Sequence, residues 1–573
     1  MKKLIIFTVL LSFTFLLGCS LVTTEEQTTS FIPETTNSST DYSSSNTTGV
    51  TTVTNITDFT TDVFTTIAPT TLAPTTQIPT TQVPTTEAPT TTETFDRYQD
   101  LYFLSINDFH GGAYAGIESF SYIAGEVKYM KENYDNVFAV ANGDIFQGTA
   151  ISNYYYGRPL VEAMNEASFD GFTIGNHEFD WGIDKIADYK DNSLENGEMN
   201  YPVLAANIVY KDTQQPLDFT TPYIVKETSG VRVGIIGLIG EVINSIAASR
   251  VETIEFLDPI DVIKEYTNYL RTIEDIDVVV VYIHDGSDYL KYEIASLSGD
   301  YLVDAVFFGH RHQNEASTVY DNRDNLPLVY AQTNAYQNSL LAKIKLTYDL
   351  VEDKLVNFSV DTLGVSSLRN STEVEMLIDS YNDNPQFQLF VNEVLATSQY
   401  EFDRYSLAPW GASVIRDYLG IDVGAVNAGG FRVNMSQGEV TMGDMVVIYP
   451  FDNVIKTSRL TGEQLRNFYI DINNGGGDVV FDDGLSYDGS TLYINGSPVV
   501  LNQYYTVGAV DYIFDKTEYD FIQGIDITYT GYFMRDLLVQ DLKNNTNIFN
   551  PANGTSYQVP LSIFFSKITE SVI

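Results

Sequence analysis

At 573 residues the chain is too long for one hydrophobic core, so two or three domains with tails are expected. Its 76 Asp and Glu against 31 Lys and Arg set a formal charge of −45, which disfavours binding to a nucleic-acid polymer and favours cations. A single cysteine excludes an internal disulfide framework, while 39 Tyr and 33 Phe supply bulk for sizeable cores.

Met1-Lys2-Lys3 is a basic start, Leu4 to Phe15 an apolar run, and Leu16-Leu17-Gly18-Cys19 its end. The run is short for a spanning helix, and a small residue ahead of the only cysteine resembles a bacterial lipoprotein signal with its lipobox. Residues 1–19 are therefore expected to be that signal, with lipid on Cys19 holding the protein on the extracellular face of a bacterial cell membrane. Residues 20–97 are dominated by Thr, Ser, Asn and Pro, and Pro69, Pro74, Pro79, Pro84 and Pro89 are each followed by Thr-Thr. Regular proline blocks helices and ladders, and threonine buries too little to build a core, so a disordered stalk is expected.

Folded sequence begins near Tyr98. The strand-like runs Leu101–Ile106, Val137–Val140, Phe169–Ile174, Gly234–Leu238, Asp277–Ile283 and Ala305–Phe308 alternate with helix-like patterns at Ile117–Tyr129 and Pro259–Leu270. That alternation predicts a layered α/β domain over residues 98–347. Residues 348–396 contain the acidic, helix-like stretch Thr372–Leu395 and are expected to link the first domain to a second at 397–573. There Val423–Asn427 reads as a strand running into the turn Ala428-Gly429-Gly430.

The sharpest signal is the placing of the five histidines, each just after a buried-strand pattern. His110 lies in Asn107-Asp108-Phe109-His110-Gly111, and His177 in Gly175-Asn176-His177-Glu178-Phe179-Asp180-Trp181-Gly182. His284 lies in Ile283-His284-Asp285, and His310 and His312 share Gly309-His310-Arg311-His312. Asn142-Gly143-Asp144 puts a carboxylate at a further strand end. In an open α/β sheet the strand C-termini line one edge, so these loops should converge on one cleft. Asp, Asn and His donors without cysteine suit a dinuclear site for Zn, Mn or Fe rather than a structural zinc.

Asp108-x-His110, Gly143-Asp144, Gly175-Asn176-His177-Glu178 and Gly309-His310-x-His312, in that order, resemble the calcineurin-like metallophosphoesterases. The longer stretch through Trp181-Gly182 resembles the secreted 5′-nucleotidase branch, with its UDP-sugar hydrolase and 2′,3′-cyclic-nucleotide phosphodiesterase relatives. The resemblance implies an α/β fold: a layered β-sandwich flanked by helices, joined by a helix to a second, mixed α/β substrate domain. It implies two divalent ions, Zn, Mn or similar. Asp108 and His110 would hold the first, Asp144 would bridge, and Asn176, His284 and His310 would hold the second, with His312 at a variable ligand position. His177 and Asp180 would form the catalytic dyad. Two ions sharing one carboxylate acidify water, and the resulting hydroxide attacks phosphorus.

In the second domain, Asn427, Gly429, Gly430 and Arg432 resemble the family's substrate loop. Phe451, in Tyr449-Pro450-Phe451-Asp452-Asn453, resembles its base platform, and Arg404 a further phosphate arginine. The family's second stacking aromatic follows a glycine-rich turn. Here the corresponding run, Asp511 to Phe521, has charged residues in place of those glycines, and leaves Phe521 or Tyr519 to close the sandwich. The function implied is removal of phosphate from nucleoside 5′-monophosphates. The alternatives are 2′,3′-cyclic-nucleotide phosphodiesterase or UDP-sugar pyrophosphatase activity, or a surface binding protein without catalysis. No motif bears on the oligomeric state.

Overall fold

Strand Val278–His284 divides its side chains between two cores: Val278, Val280 and Tyr282 enter one, and Val279, Val281 and Ile283 the other. A parallel strand covered on both faces reads as an unbroken apolar run. The structure, a computed structural model, describes residues 96–193, 197–319, 326–475 and 477–544. The expected lipobox with Cys19, the expected stalk as far as residue 95, and residues 545–573 lie outside the described residues. No described helix is long and apolar enough to cross a membrane.

Val278–His284 sits in a six-stranded sheet ordered Glu315–Val319, Leu328–Gln332, Ala305–Phe307, Val278–His284, Val231–Ile239, Tyr223–Thr228. A seven-stranded sheet is ordered Lys354–Leu363, Leu341–Asp349, Tyr98–Ile106, Val137–Asn142, Gly171–Thr173, Val203–Leu204, Thr220–Thr221. The two pack face to face, with Leu101, Phe103, Phe138 and Val140 meeting Ile235, Val280 and Phe307 in one buried cluster. Helices Phe120–Asn133 and Arg158–Glu166 cover the outer face of the seven-stranded sheet through Phe120, Ile123, Val127 and Leu160. Pro259–Thr272 and Asp288–Ser296 cover the other through Ile260, Ile263, Leu290 and Ile294. Asp258 caps the first of these, accepting from the Asp261 amide with proline in the opening turn. This is the expected β-sandwich flanked by helices.

Tyr98–Ile106, Val137–Asn142 and Gly171–Thr173 run parallel, as do Val231–Ile239, Val278–His284 and Ala305–Phe307. Their C-terminal ends therefore open on a common edge in each sheet.

The stretch 348–396, expected as a linker, instead completes the first domain for most of its length. Lys354–Leu363 is the outer strand of the seven-stranded sheet. Val374 and Ile378 of helix Thr372–Asn382, and Phe387 of helix Pro385–Val391, enter the same core as Phe120. Val374 and Ile378 stand four apart, so an otherwise acidic helix carries one apolar stripe, and that stripe is buried.

The second domain is built on a five-stranded mixed sheet ordered Val479–Phe481, Val423–Asn427, Tyr504–Val510, Val454–Thr461, Ile525–Phe533. Helix Leu407–Leu419 packs beneath it and ends at Gly420, whose φ of 62° suits glycine. Helix Gly462–Asn473 opens on a capping box of Thr461 and Gln464. The domains touch at one edge. Arg250 Nη2 donates to the Asp452 carbonyl at 2.7 Å, Ser249 Oγ to Asp511 Oδ2 at 2.9 Å, and Asn153 Nδ2 to the Pro450 carbonyl at 3.1 Å.

Candidate metal centre and cleft

Every loop singled out in the sequence follows one of the parallel strands. Asp108 and His110 follow Tyr98–Ile106, Asp144 follows Val137–Asn142, and Asn176 and His177 follow Gly171–Thr173; His284 ends its strand, and His310 and His312 follow Ala305–Phe307. Asp108, His110, Asp144, His310 and His312 all adopt positive φ, at 51°, 50°, 56°, 70° and 50°. Side chains rarely take that conformation, which costs about 1–3 kcal/mol per residue and persists where surrounding structure enforces it. Backbone bonds between two loops enforce it at Asp108, His110 and Asp144: Asp108 N donates to Gly143 O at 3.1 Å, His110 N to Asp144 O at 3.0 Å, and Gly111 N to Ile145 O at 2.8 Å; His310 N donates instead to the Asp108 carboxylate at 2.9 Å.

The donor atoms form three overlapping sets, each within 4.8 Å: Asp108 with His110 and His312, His110 with Asp144 and His177, and Asp144 with His284 and His310. His110 Nε2 lies 3.2 Å from His312 Nε2, which is 3.4 Å from Asp108 Oδ1. His310 Nδ1 lies 2.8 Å from Asn176 Oδ1. His312, given no firm role by its motif, thus stands with Asp108 and His110.

These residues fit divalent cations. His284 Nδ1 faces the Asn142 carbonyl at 2.8 Å and His110 Nδ1 the Gln147 carbonyl at 3.2 Å, so both Nδ1 atoms carry the proton and donate. Each Nε2 is left as an inward-facing lone pair, the tautomer of a metal ligand oriented by its other nitrogen. His284 Nε2 is buried without a hydrogen-bond partner, 3.1 Å from Asp144 Oδ2. A lone pair buried against a carboxylate is costly unless positive charge lies between them. Burial opposes charge on His284, but Asp144 overrides it and pushes the imidazole up to about 10, so the spot demands a proton or a metal ion. Burial, with His177 beside it, holds His110 well below the ordinary imidazole range, in the neutral form a ligand needs.

Glu178 builds the floor. Its buried carboxylate accepts from Asp144 N at 2.8 Å, Ile145 N at 2.9 Å and Gly175 N at 2.8 Å, clamping two ligand loops together. Burial and the Asp144 charge push it up to about 7. A side chain on Gly175 would strike the Asp144 carboxylate, which is why this close approach uses glycine. Glu178→Gln turns an NH₂ toward amides that now donate to oxygen. It is expected to weaken metal affinity by about 10–100-fold, read by metal titration, and unchanged affinity would remove Glu178 from this role.

His177 Nδ1 lies 2.8 Å from Asp180 Oδ2, and its backbone N–H donates to Asp144 Oδ1 at 2.8 Å. Burial disfavours its charge, but the Asp180 and Asp144 carboxylates outweigh that and raise it to about 9. Its ring stacks at 5.8 Å and 25° on Phe451 from the second domain. The two domains enclose a cleft of about 260 Å³ that brings Asp144, Asn176, His177, Asp180, His310 and His312 together with Asn427, Gly429, Arg432 and Phe451. Asn427 Oδ1 is buried there without a partner.

Three expected substrate residues stand elsewhere. Gly430 is buried behind the cleft against Tyr449. Arg404 lies over the Tyr405 ring at 4.5 Å and donates to the Arg432 carbonyl at 3.3 Å, supporting that loop rather than lining the cleft. Phe521 is a correction: it is fully buried in the second core, stacked on Phe514 at 5.6 Å and edge-on to Phe468 at 4.8 Å. Tyr519 is also buried, its hydroxyl accepting from Asp478 N. Tyr512 lines the cleft in their place. Without glycines the chain closes a helical turn at Asp511–Phe514, and that turn presents Tyr512 while the later aromatics fold inward. Asp478, Asn453 and Ser245 also line the cleft and carried no sequence signal beyond their neighbours.

Residues 101–314 match the family model for calcineurin-like phosphoesterases, and residues 389–523 that for the 5′-nucleotidase C-terminal domain. An apyrase of Tabanus yao is 26% identical over 378 residues, covering 59% of this chain and 65% of the relative. Endonuclease YhcR of Bacillus subtilis is 25% identical over 398 residues, covering 63% of this chain and 32% of the relative. The chain thus spans less than two thirds of the length of either relative. The crystal structure of a 5′-nucleotidase precursor from Thermus thermophilus shares the fold, with a TM-score of 0.62, 19% identity, and coverage of 78% of this chain and 97% of that one. The chain thus carries a calcineurin-like phosphoesterase region at 101–314 followed by a 5′-nucleotidase C-terminal region at 389–523.

Proposed function

We propose that the chain removes phosphate from nucleoside 5′-monophosphates outside the cell. The observation that carries this is one cleft lined by Asp144, His310 and His312 from the three donor sets, by the His177–Asp180 pair, and by Arg432 and Phe451. Asp108, His110, Asp144, Asn176, His284, His310 and His312 would hold two divalent ions, which when bound acidify water and offset charge on the phosphoryl oxygens.

The chain's own residues do the rest. Asp180 fixes the His177 ring through Nδ1, and a His177 kept protonated supports the phosphoryl group or gives its proton to the departing oxygen. Arg432 brings a cation to a strongly acidic protein and pairs with phosphate. Phe451 and Tyr512 supply aromatic faces for a base, and the unpaired Asn427 Oδ1 accepts from a base or sugar. Export and a lipid tether at Cys19 rest on the Met1–Cys19 signal, and would place the reaction where nucleosides and phosphate are scavenged.

Full-length protein with Mn²⁺ is tested on AMP, 2′,3′-cyclic AMP and UDP-glucose. Phosphate release from AMP is expected. Bound ions with no phosphate released from AMP would sink this reading.

A further inference from the structure

Tyr114 and Tyr336 are left 45% and 79% exposed, yet they touch each other, and Tyr114 touches two of the candidate metal donors. Their rings meet edge-on at 6.1 Å and 76°. Tyr114 also stands edge-on to His312 at 5.9 Å and 88°, and to His110 at 6.4 Å and 83°. A tyrosine gains by burial, so two exposed rings paired beside a cluster of metal donors offer faces to a planar ligand.

Both rings are referenced to that centre through the backbone. Tyr114 follows the turn His110–Gly112, where Gly111 and Gly112 take φ of 62° and 87°. Tyr336 sits in the short turn Ala335–Gln337, and Asn334 Oδ1 accepts its amide at 3.0 Å. The same Asn334 donates its Nδ2 to the carbonyl of His312, so the Tyr336 loop is tied to a donor residue. A subsite held this way keeps its distance from the reacting centre.

Successive ring contacts run Tyr336, Tyr114, His110, His177, Phe451, at 6.1, 6.4, 5.1 and 5.8 Å. Phe451 and the tyrosine pair thus stand at the two ends of a row whose middle is the metal and dyad histidines. A nucleoside monophosphate has one ring system and occupies one end. A phosphate substituted on both sides would occupy both.

We propose that Tyr114 and Tyr336 form a second aromatic platform that binds the other ring-bearing substituent of a doubly substituted phosphate. This rests on the phosphohydrolase reading above. For adenosine 5′-phenyl phosphate, water's oxygen bonds to phosphorus and the phosphorus–phenoxy oxygen bond breaks. One water proton stays on the incoming oxygen, the other goes to the phenoxy oxygen, and AMP and phenol leave.

The test uses full-length protein with Mn²⁺ present, the double variant Tyr114→Ala/Tyr336→Ala, and the double variant Tyr114→Phe/Tyr336→Phe. The ratio of kcat/KM for the phenyl ester to that for AMP is expected to fall about tenfold in the alanine variant, through KM, and to be kept in the phenylalanine variant. Calorimetric Kd for the phenyl ester should weaken by the same factor. Equal losses on both substrates, or an unchanged Kd for the phenyl ester, would overturn the platform. If wild type hydrolyses neither substrate but the Kd difference stands, the phosphohydrolase reading fails and the platform survives.

Discussion

Replacing His177 by alanine is expected to lower turnover on AMP by about a hundred- to ten-thousand-fold while leaving metal content unchanged. The size is that of a positioned proton donor or charge lost from the transition state. His177 stands in one of the three donor sets, so geometry alone leaves it two roles, ligand or catalyst. Its Nδ1 is committed to Asp180 at 2.8 Å, and its ring lines the cleft, stacked on Phe451 of the second domain, the position proposed here for a catalyst. Asp180→Asn keeps a hydrogen-bond acceptor but removes the charge, and should cost less than His177→Ala. Metal analysis beside kcat checks both variants. Loss of an ion from His177→Ala would make His177 a ligand and overturn the assignment.

Asp144→Ala is expected to lose bound metal and, with it, hydrolysis down to background. Asp144 belongs to two of the three donor sets. Its Oδ1 accepts from His177 N, and its Oδ2 faces the buried His284 Nε2 at 3.1 Å. Burial opposes its charge, but His284 and His177 outweigh it and hold the carboxyl well below the usual range. Asp144→Asn separates charge from packing. It fills the same volume and retains an oxygen for the His177 amide, so loss of metal from it as well would assign the effect to the carboxylate. Metal content after gel filtration reads the result. Full metal occupancy in either variant would contradict the bridging role.

The convergence of the candidate donors was legible because these residues mark strand ends, and the buried runs before them are unmistakable. Five histidines in an acidic chain of this length cannot repeatedly follow apolar runs without a reason that lies in one place. What the sequence left hidden depends on tertiary contacts. Asp108, His110 and Asp144 give no local sign of adopting positive φ, since the backbone bonds that force it join loops far apart in the chain. Phe521, expected at the cleft, is buried and Tyr512 lines it instead, because one helical turn at Asp511–Phe514 decides which ring faces the cleft. The stretch 348–396 looked like a linker by its acidity, yet Val374 and Ile378 were enough to seat it on the first core. Ser249 and Arg250 meet the second domain from short turns without regular patterning.

Phosphate release from AMP, followed as Mn²⁺ is titrated back into metal-stripped full-length protein, tests the proposed dinuclear hydrolysis most directly. The rate should stay near background until the donor sets fill, rise as a second ion per chain binds, and then level off. Full activity in the stripped protein, or two ions bound with no phosphate released, would contradict it.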